Sequence, residues 1–141
     1  MDEHEEAGLS EAFWAVARRL RHLTKDALAP WQITPSQSRA LHVLGRQESL
    51  RLNELADQLR IAPRSATEVV DDLQAAGLAE RHPDPADRRA VLVTLTDEGV
   101  RVSRDIREAR QAAGERFFAT LSADDRAELG RLLRRLRADA G

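Results

Sequence analysis

Apolar residues recur at helical spacing along most of this chain. Between residues 9 and 30 they fall three or four positions apart, which predicts one long helix ending near Pro30. The next segment offers Thr34 as N-cap, Pro35 at the first helical position and Gln37 three residues after the cap. These residues predict a second helix that begins there and ends near Gly45.

Two short amphipathic segments follow, joined by a tight turn. After an extended connector at residues 49–52, a two-turn helix is predicted over residues 53–59, since Leu55, Ala56 and Leu59 share one of its faces. Pro63 opens the next helix, which closes at Gly77 and has as its apolar positions Ala66, Val69, Val70 and Leu73. Two short helices with a tight turn form the outline of a helix-turn-helix.

The apolar period then changes from helical to alternating. Residues 78–82 and 90–95 read as strands around a loop at 83–89 that contains two prolines and two aspartates, which predicts a β-hairpin with a protruding arginine-bearing loop. Thr96 and Ser122, each followed by acidic residues, predict the N-caps of two final helices. The expected fold is mainly α with a small β-hairpin.

Size and composition narrow the class of protein. A chain of 141 residues with 42% hydrophobic and 33% charged residues is expected to form a single globular unit with a real core. No apolar run is long enough for a membrane span, and no secretory signal is recognisable, so a cytoplasmic location is expected. The absence of cysteine excludes disulfides, thiolate metal sites and cysteine nucleophiles.

Several residues between positions 50 and 99 carry a family resemblance. They include the pair Leu55-Ala56, the segment from Leu73 to Gly77-Leu78, Arg81, and an Asp87-x-Arg89 pattern followed six residues on by Leu95-Thr96. In this combination the segment resembles the winged helix-turn-helix of MarR-type bacterial transcriptional regulators. The flanking helices agree with that family in number and order.

The resemblance implies a division of the chain and a set of partners. It implies an N-terminal dimerisation helix at residues 1–34, a winged helix-turn-helix DNA-binding domain at 35–99 and C-terminal dimerisation helices at 100–141. A family member of this kind is a homodimer that places two winged domains on a two-fold site in double-stranded DNA. It often has a small-molecule effector pocket where the two parts of the subunit meet.

The second short helix presents a polar surface opposite its apolar stripe. In a helix-turn-helix, the N-terminal part of the second helix reaches base edges. We therefore expect the DNA contacts of this helix to come from Pro63, Arg64, Ser65, Thr67 and Glu68. Arg64 suits guanine, and Glu68 suits the amino group of cytosine. The alternative is an ordinary solvated face, and the adjoining loop argues against it.

The hairpin loop supplies a second set of candidate DNA contacts. Arg88 and Arg89 lie at the tip, where a narrow minor groove would attract a guanidinium. Asp87 is expected to pair with an arginine and fix the shape of the tip, with Arg89 the nearer candidate. The alternative is a surface turn with an incidental ion pair, but the resemblance places these residues at the wing of the family.

The net charge of the expected DNA-binding segment is negative, which limits how it can bind DNA. The chain carries a net charge of −2, and residues 51–98 hold six arginines against ten acidic residues, a net of −4. Positive potential must therefore be concentrated at the start of the second short helix and at the loop tip, while Asp71, Asp72 and Asp84 are expected to oppose phosphate. Few phosphate contacts and a modest salt dependence of DNA binding follow.

The terminal helices carry more apolar residues than one small winged core should need. The expected dimer interface consists of Leu9, Phe13, Phe117, Leu121, Leu129, Leu132, Leu133 and Leu136. The alternative is that some of these residues close the core of the monomer.

Other chemistry finds little support in the residues. The four histidines show no close metal-ligand spacing, and no phosphate loop, nucleophile elbow or zinc-protease motif occurs. No metal site, cofactor or enzymatic activity is expected, although metal binding stays open because some members of the family that this chain resembles bind metals. The candidates for lining an effector pocket are Trp14, His22, Trp31 and His42, with ordinary core and surface packing as their alternative.

The sequence therefore predicts a ligand-responsive, dimeric DNA-binding regulator, acting as a repressor on a palindromic promoter site. Two other classes stay open. A winged helix can serve as a protein-interaction module without DNA readout, and a small-molecule enzyme would need a site that the sequence does not reveal.

Overall fold

The fold is built from six α-helices and three short strands in the part of the chain that the structure describes. The computed structural model describes residues 3–139, with side chains from residue 8 onward. The elements are α1 (Glu3–Leu28), a 3₁₀ turn (Ala29–Trp31), α2 (Pro35–Gly45), β1 (Leu50–Arg51), α3 (Leu52–Leu59), α4 (Pro63–Ala75), β2 (Ala79–Pro83), β3 (Val91–Leu95), α5 (Asp97–Phe118) and α6 (Ala123–Asp139).

The predicted helix caps are confirmed. The Thr34 hydroxyl accepts a hydrogen bond from the Gln37 amide at 3.1 Å, and the Gln37 side chain accepts one from the Thr34 amide at 3.2 Å. The hydroxyls of Thr96 and Ser122 each accept a bond from the amide three residues on, at 3.0 and 3.1 Å. These caps are local in sequence, and they satisfy amides that the first helical turn leaves without a partner.

The sheet has one strand more than the predicted hairpin. β2 and β3 pair antiparallel from Ala79 opposite Leu95 to Pro83 opposite Val91, as the alternating pattern indicated. The segment expected to be a simple extended connector instead forms β1, which pairs with β3 and gives the strand order β1-β3-β2. β1 covers part of the edge of β3 that faces away from β2, where backbone groups would otherwise be unpaired.

A single apolar core lies under the helix-turn-helix and the sheet. Helices α2, α3 and α4 and the sheet contribute its fully buried side chains, which are Leu41, Leu55, Val70, Leu73 and Val93. Leu28 and Ile106 extend the same cluster at its two ends in the sequence. The core therefore holds α2, α3, α4 and the sheet together as one support for the surfaces described below.

The chain divides into two compact units. One runs from Ala27 to Ala109, and the other consists of the chain up to Asp26 together with the chain from Arg110 onward. The domain boundaries predicted at residues 34/35 and 99/100 stay predictions. Between residues 3 and 139, none of the helices combines the length and the apolar character that crossing a membrane requires.

Candidate DNA interface

Helix α4 has a buried stripe and an exposed polar surface. Ala66, Val69, Val70 and Leu73 are buried, so the inward face predicted for this helix is confirmed. On the other side, Pro63, Arg64, Ser65 and Glu68 are exposed and Thr67 is half-buried. Four of the five predicted contact residues thus have side chains open to a partner, and all five lie in the first two turns.

The N-terminus of α4 has no side-chain cap. Its N-cap residue is Ala62, whose methyl group cannot accept a hydrogen bond, and Pro63 follows at the first helical position. By contrast, side-chain oxygens of Thr34, Thr96 and Ser122 cap α2, α5 and α6. Uncapped amides and the positive end of the helix dipole both favour an anion such as a phosphate group.

The hydroxyl of Thr67 is already engaged within α4. It donates to the carbonyl oxygen of Pro63 at 3.0 Å, the usual back-bond of a threonine inside a helix. In this geometry Thr67 offers a partner its methyl group and an acceptor lone pair rather than a donor. A thymine methyl or a base amino group matches that offer, whereas a base carbonyl does not.

Arg81 ties β2 to the exposed side of α4. Its guanidinium donates to the Asp71 carboxylate at 2.6 Å, to the Gln74 side-chain oxygen at 2.5 Å and to the Thr67 carbonyl at 3.4 Å. The Arg81 side chain is 26% exposed, so this arrangement is partly shielded from solvent. A planar guanidinium with several fixed acceptors holds one geometry, and Arg81 therefore fixes the outer surface of α4 against the sheet.

The loop between β2 and β3 is closed by a series of short turns. Backbone bonds run from the Asp87 amide to the Asp84 carbonyl at 3.3 Å and from the Ala90 amide to the Asp87 carbonyl at 3.0 Å. The Asp87 carboxylate accepts from the Arg89 backbone amide at 2.9 Å. Asp87 thus bonds to Arg89, the nearer candidate, but through the backbone amide of Arg89 and not its guanidinium, because an aspartate in a turn bonds readily to the amide two residues on.

Arg88 and Arg89 extend from this loop as exposed side chains. Among the side chains that the structure describes, no carboxylate forms an ion pair with either guanidinium. Both cations are thus open to an external anion at the end of a loop whose backbone is fixed by hydrogen bonds.

At the base of the loop, Asp84 and Arg51 form an ion pair. The sequence did not predict this pair. The Arg51 Nε donates to the Asp84 Oδ2 at 2.8 Å, and the Ala86 amide donates to Oδ1 at 2.9 Å. The Asp84 side chain is only 7% exposed. The Ala86 amide and the Arg51 guanidinium hold the pKa of the Asp84 carboxyl below its usual value of 3.8, against the opposite effect of burial.

The three acidic residues expected to repel phosphate all have donors beside them. Arg81 pairs with Asp71 and Arg51 pairs with Asp84, while the Gln37 amide group donates to Asp72 at 3.3 Å. Arg81 and Arg51 therefore offset Asp71 and Asp84 locally, while the net charge of −4 for residues 51–98, which already counts both arginines, is unchanged. Sequence alone could not pair them, because the partners lie 10 to 35 positions away.

The predicted dimer residues lie on the terminal helices, apart from Leu121 in the turn between α5 and α6, and none of them is fully buried. Leu9, Phe13, Leu132, Leu133 and Leu136 are exposed, with Leu9 65% and Leu136 64% accessible. Phe117, Leu121 and Leu129 are half-buried, and the Phe117 ring meets Phe118 edge-on with centroids 4.9 Å apart. Several large apolar side chains are thus left without cover in the single chain.

The four candidate pocket residues are distributed over both units. Trp14 and His22 lie on α1, where Trp14 is 57% exposed and the His22 ring lies 3.7 Å from the Asp26 carboxylate. Trp31 packs against the apolar core of the unit from Ala27 to Ala109, in line with the alternative of ordinary core packing, and His42 is exposed on α2. Their grouping into one pocket stays a prediction. Within the part of the chain that the structure describes, no three His, Asp or Glu side chains lie close enough together to hold a metal ion.

Comparison with known proteins identifies the family. A profile described as the MarR family matches residues 31–90, the segment that holds α2 to α4 and the strands β1 and β2. An HTH-type transcriptional regulator of Mycobacterium leprae is 33% identical, with 84% of this chain aligned to 80% of the relative. The chain belongs to the MarR family of transcriptional regulators.

A further relative and two solved structures extend the similarity to the whole fold. The transcriptional repressor MdtR of Bacillus subtilis is 27% identical over 79% of this chain and 72% of its own length. A MarR family protein from Bacillus stearothermophilus superposes with a TM-score of 0.87 at 26% identity, covering 99% of this chain and 98% of that one. A mutant of MarR from E. coli complexed with operator DNA superposes at 0.75 with 28% identity, covering 96% and 99%. The predicted fold class, a winged helix-turn-helix between terminal helices, is confirmed.

Proposed function

We propose that this MarR-family chain is a sequence-specific DNA-binding repressor that acts as a homodimer on a palindromic promoter site and responds to a small-molecule effector. The observation that carries the proposal is the pairing of two surfaces on one support. The uncapped N-terminus of α4 exposes Arg64, Ser65 and Glu68, and the adjoining loop exposes Arg88 and Arg89. A helix for the major groove beside a loop for the minor groove is the geometry of DNA readout by such domains.

Each surface has a distinct part in the proposed readout. Arg64 contacts guanine through its guanidinium, Glu68 accepts from cytosine and the α4 amides bind phosphate. Arg88 and Arg89 enter the minor groove, where narrow A·T steps concentrate negative potential. The chain then occupies a promoter site and excludes polymerase, which is the proposed repression.

The test is a selection of the purified chain against a random duplex library, followed by titration of the selected duplex with variants. We expect an inverted repeat. We expect Arg64→Ala to weaken binding at defined bases by about 1–3 kcal/mol, and Arg88→Ala to act at flanking A·T steps. Arg134→Ala, an exposed arginine of α6, is the matched control and leaves binding unchanged.

Failure has a clear form. If no duplex is enriched at low salt, the chain is either a winged protein-interaction module, the other class that the sequence left open, or a form that needs a bound ligand before it reads DNA. If duplexes bind but Arg64→Ala weakens all of them equally, α4 contributes phosphate contacts only and the proposed base readout is overturned.

The effector part of the proposal is tested separately. The chain has two tryptophans, Trp14 and Trp31, so variants with phenylalanine at one position report on the other. A compound found by thermal shift should quench one of these residues and also release the selected duplex, because a ligand changes DNA affinity only by binding the two states differently. A compound that stabilises the chain but leaves DNA affinity unchanged is not the effector.

A further inference from the structure

The buried carboxylate of Asp84 lies where the exposed loop leaves the sheet. One of its oxygens accepts from Arg51 Nε at 2.8 Å and the other from the Ala86 amide at 2.9 Å. The backbone of the same residue bonds to Ala90 across the loop and accepts from the Asp87 amide. Asp84 therefore joins both ends of the loop, its inner turn and a residue from outside the hairpin.

Arg51 approaches this carboxylate from the edge strand on the other side of β3. It lies on β1, opposite Leu92 of β3, and His82 of β2 lies on the other side of Leu92. Asp84 is two positions beyond His82 and so projects from the same face of the sheet. The ion pair thus crosses over β3 and connects the edge strand β1 with the loop that follows β2.

We propose that the Arg51–Asp84 ion pair positions the wing, holding the loop in the conformation that presents Arg88 and Arg89 to DNA. This inference rests on the proposed DNA-binding function. A carboxylate that is only 7% exposed needs its charged partner, because a buried charge left without one must be hydrated. When Arg51 is removed, the loop opens to hydrate Asp84, and the two arginines at its tip lose their fixed direction.

A competing role for Arg51 is direct contact with phosphate, since its side chain is 39% exposed. The two roles differ in what they couple to. A phosphate contact acts independently of the wing, so its loss adds to the loss caused by Arg88→Ala. A positioning role acts through the wing, so the two losses overlap in a double-mutant cycle.

The experiment measures affinity for the selected duplex and amide hydrogen exchange of the free protein in parallel. We expect Arg51→Ala to weaken binding by at least about fivefold, as for loss of a charge-assisted contact, with Arg51→Lys restoring part of it. In Arg51→Ala/Arg88→Ala, the loss should be close to that of the larger single variant. Arg46→Ala, an exposed arginine before β1, is the control and changes neither affinity nor exchange.

Amide exchange reports on the loop without reference to DNA. In Arg51→Ala, the amides of Ala86, Arg89 and Ala90 should exchange faster, while those of α4 keep their protection. Asp84→Asn should speed their exchange less, because it weakens the contact with Arg51 but leaves no buried charge to hydrate. Asp84→Asn keeps the shape of the side chain and an acceptor for Ala86, so it provides a second variant should Arg51→Ala fail to fold.

Several results would overturn the inference. Unchanged exchange in the loop means that the pair does not hold it, and faster exchange with unchanged affinity means that the fixed loop is not needed for binding. Fully additive losses with a salt slope lower by about 0.9 assign Arg51 to a phosphate. A wild-type chain that binds no duplex overturns the proposed function instead, and the exchange pattern then still decides whether the pair fixes the loop.

Discussion

Single residues limit how closely the elements of the unit from Ala27 to Ala109 can pack. Gly99 in the first turn of α5 is the sharpest case, because a Cβ atom built there would lie well inside van der Waals contact with the Leu78 carbonyl oxygen. That carbonyl also accepts the Thr96 amide at 3.0 Å and cannot move without breaking the start of α5. We expect Gly99→Ala to lower the free energy of unfolding by about 2–3 kcal/mol, measured by denaturant titration.

Gly114 supplies the matched control for that substitution. It lies in the same helix, and a Cβ atom there would meet nothing within 4 Å. Gly114→Ala should therefore raise stability by about 0.5–1 kcal/mol through helix propensity. Equal destabilisation by both substitutions would show that contact with Leu78 is not the cause.

A second residue-scale prediction concerns the turn of the helix-turn-helix. Arg60 ends α3 in the left-handed region, with φ 55° and ψ 46°, where a side chain costs about 1–2 kcal/mol and glycine costs little. Arg60→Gly should raise the free energy of unfolding by about 0.5–1 kcal/mol after the greater freedom of the unfolded glycine is subtracted. Arg46→Gly is the control and should lower stability, because Arg46 has φ −92°.

The Asp84 carboxyl is expected to make the stability of the chain depend on pH. Because its folded pKa lies below 3.8, its ionised form contributes stability above that value, and this contribution is lost as the pH falls through the folded pKa. The melting temperatures of the wild type and Asp84→Asn should therefore differ most at neutral pH and converge below about pH 3.8. A gap that stays constant with pH would mean that ionisation of Asp84 contributes nothing.

At the scale of elements, the sequence predicted what is encoded locally. The caps at Thr34, Thr96 and Ser122 and the buried face of α4 follow from residues within one or two turns, and all were predicted. Strand β1 was missed because a two-residue strand exists only through its pairing with β3, some 40 positions later. The donors beside Asp71 and Asp84 were missed for the same reason, since no local pattern shows which arginine the fold brings to them.

Arg81 attaches α4 to β2, and this attachment is expected to contribute to both stability and DNA affinity. Arg81→Ala removes three hydrogen bonds to α4, so we expect stability to fall by about 1 kcal/mol and DNA affinity to fall with it. Chemical denaturation and duplex titration measure the two effects. Arg88→Ala is the control, because it should lower affinity while leaving stability unchanged; a stable Arg81→Ala variant would show that this attachment contributes nothing to the unit.

At the scale of the whole molecule, the uncovered apolar surface of the terminal helices is the feature left to explain. Leu136 follows Leu132 by four positions and Leu133 by three, so the three residues share one side of α6. All three are exposed, although a stripe of this kind is normally buried. A two-fold interface between copies of the chain would cover it, and the proposed palindromic site requires two α4 helices about 34–36 Å apart. We therefore expect a dimeric mass by light scattering at micromolar concentration.

The dimer is tested by placing charge in this stripe. Leu133→Glu/Leu136→Glu should yield a monomer that binds the selected duplex much more weakly, because one winged domain loses the effective concentration that its tethered partner provides. Arg134→Glu, on the opposite side of α6, is the control and should remain dimeric. Since α2 to α4 and the sheet hold their own core, the monomer should keep its helical signal. A wild-type chain of monomeric mass that nevertheless bound an inverted repeat tightly would separate DNA readout from dimerisation and leave the apolar stripe to a different partner.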